Sequence, residues 1–162
     1  MTQITSRNIP PDISDPKVKP VRITTFLNED HANDLETRWS ITIVIMFINK
    51  NPIQWYNRLY INAKTSTYGS ELVAKKTATK LTMEICYKLI MMGVPFDGPA
   101  KILGDNESVV ISCSNPSSNL DKKHNYIYYH WFRGYVAAGV ISLAHIPGKY
   151  NQTEILTKNL DI

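Results

Sequence analysis

The stretch ITTFLNEDHAND, residues 23–34, is where the reading of the fold turns. Its first half, Ile23 to Leu27, is rich in β-branched and aromatic side chains, which fit a pleated sheet, and reads as a short strand. Its second half gathers Glu29, Asp30, His31 and Asp34 behind Asn28. Acids where a strand ends mark either an ordinary polar loop or the corner of a metal site. The neighbouring elements have to decide between them.

Outward from this stretch, Val21 to Leu27 is the first expected strand. Ser40 to Asn49, SITIVIMFIN, is rich in β-branched residues and reads as a second, buried strand. NKNP is a turn. Ile53 to Tyr60 alternates apolar and polar residues and reads as a third strand with one exposed face. A long helix follows, capped at Ser66 or Thr67 and closed by Gly93, with Leu72, Ala78, Leu81, Ile85, Leu89 and Met92 as its apolar stripe. AKILGD (100–105) is a fourth strand ending on Asp105, and NESVVISCSN (106–115) a short helix stopped by Pro116. HNYIYYHWFRGYVAAG (124–139) is a second long helix. VISLAHIP (140–147) is a fifth strand, and QTEILTKNL (152–160) a terminal helix. Short turns join the first three strands, so these form an antiparallel meander. The later strands alternate with helices, which requires parallel crossovers. The expected fold is α/β, a mixed five-stranded sheet flanked by helices.

The chain has 162 residues, of which 43% are hydrophobic and 20% charged, enough for one domain with a real core. Residues 1–20 hold four prolines and few large apolar residues, and read as a flexible leader or linker before a domain at 21–160. A net charge of +4 favours a polyanionic partner only weakly. The cysteines are Cys86 and Cys113, without a CxxC pair, which argues against a thiolate zinc site. Cys86 falls in a helical pattern and is expected to be a small buried hydrophobe. No apolar run spans a bilayer and no secretory signal is visible, so an intracellular setting is expected.

In a sheet of this type, ligands bind outside the strand ends where the connections diverge. Asn28 and Asp30 end the first strand, and Asp105 ends the fourth. Glu71 is expected in the first turn of the long helix and Glu154 in the first turn of the last. Hard divalent cations take oxygen ligands, and two of them about 4 Å apart need several carboxylates for in-line phosphodiester hydrolysis. Each acid has a plainer explanation. An acid in a first turn stabilises the helix dipole by about 0.3–1 kcal/mol without further purpose. For Glu71 and Glu154 taken singly, that explanation is the better one. Lys122, Lys123 and His124 precede a helix carrying His130 and Arg133, a cluster suited to phosphates or simply to water. The aromatic run YIYYHWF (126–132) reads as core rather than as a stacking platform.

Taken in order, NEDHAND, TRWS, PIQWY, TSTYGSE, GDNES, KKHN and NQTEILTK resemble the ribonuclease H domain of Copia-type long-terminal-repeat retrotransposon polyproteins. The family pattern there runs approximately DADxAGD, TRRS, a strand leading to Trp, an ST–small–SE stretch, a DN pair, KKxH and NxADxLTK. The likeness covers about residues 21 to 160, and the order of the motifs is more specific than any one of them. It implies a ribonuclease H-like fold and a magnesium-dependent nuclease, with manganese as the alternative ion. Such an enzyme cuts the RNA strand of RNA–DNA hybrids beside a reverse-transcriptase domain in the same polyprotein. Carried over, the catalytic positions are Asn28, Glu71, Asp105 and Glu154. The metal ligands are Glu71, Asp105 and Glu154 with Asp30 in support. The hybrid-binding residues are Lys122, Lys123, His124 and Arg133.

The departures matter as much as the matches. Asn28 stands where the family has its first aspartate, and an amide offers one weaker carbonyl ligand and no charge. Glu154 stands for an aspartate, Trp39 for an arginine and Ile43 for a glycine, and Asn57 to Tyr60 loses polar and basic character. The resemblance therefore implies an impaired nuclease in a fragment, a truncated reading frame or a domesticated remnant. The alternative is a catalytically inactive nucleic-acid-binding or interaction module.

Overall fold

The computed structural model describes residues 19–30, 40–60, 67–107, 110 and 123–153, without the side chains of 30, 40, 60, 67–72 and 123–129. The strands are β1 (Ile23–Asp30), β2 (Ser40–Ile48), β3 (Asn51–Tyr60), β4 (Ala100–Gly104) and β5 (Ile141–His145). The helices are α1 (Thr67–Met91) and α2 (Lys123–Ala137). The expected helices at 106–115 and 152–160 lie almost wholly outside the described residues, and the leader at 1–20 largely so.

The five strands form one sheet in the order β3-β2-β1-β4-β5. β1 pairs antiparallel with β2 from Ile23↔Ile48 to Asp30↔Ile41. β2 pairs antiparallel with β3, with a register shift at Met46/Phe47. β4 is parallel to β1 (Thr24↔Lys101 to Phe26↔Leu103) and to β5 (Ala100↔Ile141 to Gly104↔His145). This is the meander followed by parallel crossovers that the sequence implies. The one change at the decisive stretch is that β1 does not stop at Leu27. It runs on through Asn28, Glu29 and Asp30, because β2 is long enough to pair with every one of them.

Alternation along β1 fixes which residues share a face. Ile23, Thr25 and Leu27 are buried, and the Thr25 hydroxyl meets that of Thr82 on α1 at 2.7 Å. That face therefore carries α1. Val44, Met46, Ile102 and Ala100 complete its core. Phe26 and Phe47 stack edge-on across the other face, centroids 5.5 Å apart. β3 is an edge strand with one face exposed, but the exposed row is the apolar one, Ile53, Trp55 and Leu59, whereas Tyr56 on the other face packs against the core, the reverse of what the alternation implies.

α1 begins at Thr67, where capping chemistry placed it, and closes at Gly93 with φ 72°. Val94 N–H donates to the Leu89 carbonyl and Gly93 N–H to that of Ile90, the paired bonds of a Schellman cap. Gly139 ends α2 in the same way. The buried stripe of α1 differs from the expected one. Ala74, Lys75, Ala78, Thr79, Thr82, Met83, Cys86 and Leu89 are buried, while Leu81 and Ile85 only flank the core. Met92 lies beyond the helix end and is exposed. An apolar count placed the stripe slightly off axis because three of its fully buried members, Lys75, Thr79 and Thr82, are polar. Cys86 is the buried hydrophobe expected of it, and burial raises its thiol to about 11, partly offset by a backbone hydrogen bond. In α2, Phe132 is core as expected, whereas Trp131 is partly exposed and packs edge-on against Tyr135.

Candidate functional site

β1, β4 and β5 run parallel, so their carboxyl ends reach the same edge of the sheet. Asn28, Glu29 and Asp30 occupy that end of β1, and Asp105 is the first residue beyond β4. Extending the β1–β4 register by two residues sets Asn28 level with Asp105. The backbone thus brings these positions to one edge.

Asp105 is held there by its neighbours. His145, the last residue of β5, places Nε2 3.0 Å from the Asp105 carbonyl oxygen. A carbonyl only accepts, so Nε2 carries the proton. Ile146 N–H donates to the Gly104 carbonyl at 2.9 Å. The Asp105 side chain is half-buried with Oδ1 out of solvent, and the same holds for Glu29 and its Oε2.

Asn28 and Glu29 stand on opposite faces of the sheet. Glu29 shares the α1 face with Thr25 and Leu27. Asn28 shares the other with Phe26 and with Ile43, its register partner on β2. Asp30 is placed on Asn28's face by the same alternation. Sequence reasoning passed over Glu29 because the resemblance fixes attention on Asn28, and alternation was the signal that could have found it.

Glu71 is the fifth residue of α1, and no acid lies in the helix's first turn. This corrects the expectation of a first-turn position and removes the dipole as its explanation, since that effect fades within one turn. Glu71 sits one turn before Lys75 on the same stripe. Lys75 is fully buried. A Cβ built on Gly104 would lie 3.4 Å from Lys75 Cε and 3.5 Å from Leu27 Cγ. The lysine stem therefore runs over the end of β4, beside the residue preceding Asp105. Nothing in the motif comparison singled out Lys75.

Asn151 is the other residue that sequence reasoning missed. It is buried, and its Nδ2 donates to the Leu27 carbonyl at 2.8 Å, while its Oδ1 accepts from the Thr153 backbone and hydroxyl. The chain entering Glu154 is thereby tied to the end of β1. Glu154 itself and Lys122 lie outside the described residues, and Glu71, Lys123 and His124 are placed by backbone only. Arg133 is half-buried on α2 and His130 exposed.

Among the described residues no three His, Cys, Asp or Glu side chains form a set that could hold a metal ion. With a neutral amide at 28 and a buried ammonium on the face of Glu29, the described donor set does not fit a pair of divalent cations. No helix among the described residues is long and apolar enough to cross a membrane.

The fold has close parallels among solved structures. A ribonuclease H1 isolated from compost by a metagenomic approach superposes with a TM-score of 0.63 at 12% identity, covering 83% of this chain and 91% of that one. Ribonuclease H1 from the halophilic archaeon Halobacterium salinarum gives 0.60 at 10% identity, over 85% and 99%. The foamy viral protease–reverse transcriptase in complex with an RNA/DNA hybrid gives 0.53 at 16% identity, over 93% of this chain and 21% of that one. No family model matches the sequence, and no curated protein does. At these identities the likeness establishes the fold, which is ribonuclease H-like.

Proposed function

We propose that this chain is a ribonuclease H-like domain that takes RNA–DNA hybrid at the carboxyl edge of β1 and β4, with its two-metal hydrolysis impaired. The observation that carries this reading is the placement of Asn28 and Asp105 at the ends of adjacent parallel strands in that fold. Ligands of parallel sheets bind at such edges. The foamy viral enzyme and a compost ribonuclease H1 were solved with RNA/DNA hybrid, which supports the substrate class. Any magnesium or manganese binding that survives falls to Glu71, Asp105 and Glu154, with Asp30 beside them. The Copia-type polyprotein origin belongs to the same proposal and rests on the ordered motifs. Lys122, Lys123, His124 and Arg133 are the positions assigned to the phosphates.

The test is a cleavage and retardation assay on one labelled hybrid in magnesium and in manganese. The parent is expected to retard hybrid, with affinity falling as salt rises, and to cut it feebly or not at all. Asn28→Asp is expected to raise cleavage at least tenfold, about 1.4 kcal/mol of barrier. Asp105→Asn on that background should remove the gain. Brisk cleavage by the parent, unchanged by Asn28→Asp, would refute the impairment. Binding without cleavage by either protein would favour the inactive module, a reading that the buried Lys75 already supports.

A further inference from the structure

We propose that Lys75 is a built-in cation of the acidic edge, supplying the positive charge that a divalent ion would otherwise bring there. The inference rests on the reading of this edge as the functional site, but not on its substrate. It accounts for the misfit between the described residues and a pair of divalent cations.

Four observations carry it. Lys75 is among the largest of the fully buried side chains, and its Nζ is out of solvent. Its Cε lies over Gly104 and alongside Leu27, so the ammonium is delivered where β1 and β4 end. Glu29, two residues beyond Leu27 on the same face, brings a buried carboxylate oxygen to that place. Glu71 occupies the preceding turn of the stripe that carries Lys75.

Burying an ammonium in a protein interior costs several kcal/mol unless anions surround it, and a buried carboxylate has the same need of a cation. On the α1 face of this edge each answers the other. A cation fixed by a covalent stem cannot be diluted away, and it repels a second cation at short range. Lys75 therefore makes the edge self-neutral and lowers its appetite for divalent ions, independently of the lost carboxylate at position 28. The bland reading is a lysine that merely fills the core with its stem. That reading predicts no link between Lys75 and metal affinity.

The experiment measures manganese alone, without nucleic acid, by electron paramagnetic resonance titration and by melting temperature with and without the ion. Lys75→Met keeps the stem's bulk and removes the charge. It is expected to bind manganese at least tenfold more tightly than the parent and to melt higher when the ion is added. Equal manganese affinity in parent and variant would overturn the proposal. Should Lys75→Met fold only in the presence of manganese, the proposal is upheld in its strongest form. Should it fail to fold under either condition, Lys75→Met/Glu29→Gln decides. Recovery of folding in the double variant shows that the two charges answer each other, and continued failure refutes it. Loss of hybrid binding by the parent would sink the proposed substrate and leave this result standing.

Discussion

Thr82 and Lys75 stand two turns apart on one stripe of α1, both fully buried and both polar, and their surroundings differ in kind. Around Thr82 everything is local and closed. Its hydroxyl donates to the Ala78 carbonyl at 2.7 Å, so the hydrogen shared with Thr25 comes from Thr25. Met46 Sδ lies 3.9 Å away. Lys75 instead runs its stem over Gly104 at the end of β4, the edge on which the acids lie. A buried polar group answered by a carbonyl and a hydroxyl is architecture. A buried charge among acids is a feature the fold would be simpler without, and it calls for a functional account.

The seam between these two regions is Leu27, whose side chain packs over Gly104 and whose carbonyl anchors Asn151. Leu27→Ala is expected to lower stability in urea by about 2–5 kcal/mol through the cavity it leaves. A loss below about 1 kcal/mol would mean that the edge is not packed onto the core, and the contrast would collapse. Next in size is Thr82→Val. It strands the buried Thr25 hydroxyl, at about 1–3 kcal/mol. Adding Thr25→Val should restore part of that loss, and strict additivity in the urea midpoints would show that the pair is not a closed unit. Smallest is Arg22→Ala at the opposite end of β1, where an ion pair with Asp97 has both side chains more than half exposed. Its cost should stay within about 1 kcal/mol and shrink with salt. A larger loss would extend the closed region to the start of the strand.

The sheet was legible in the sequence because its strands are β-branched and its turns carry their own chemistry. Asn49 takes φ 57° in the β2–β3 turn, and Gly93 and Gly139 end the helices where expected. The end of β1 was not legible. Asn28, Glu29 and Asp30 have low strand propensity, and pairing with Ile43, Thr42 and Ile41 overrides it. Glu71 falls just past the first turn because either expected cap, Ser66 or Thr67, already sets it four or five residues into the helix. Lys75 could not be found by apolar periodicity at all, since a charged residue is counted as surface. Only the packing of α1 on β1 and β4 reveals that it lies inside.

One consequence of the strand order concerns time rather than space. β1 is the central strand, and it is made first. One of its partners, β2, follows after nine residues, but the other, β4, begins at Ala100, and β5 closes beyond it at Ile141. On a ribosome the early hairpins can form while β1 still presents an open flank. The acidic edge cannot exist until Asp105 has emerged and docked. Closing so long a loop costs entropy before any contact repays it, so folding should be set by this late parallel pairing rather than by the meander. For that interval the central strand of the finished sheet is an edge strand, exposed to whatever other chain can pair with it.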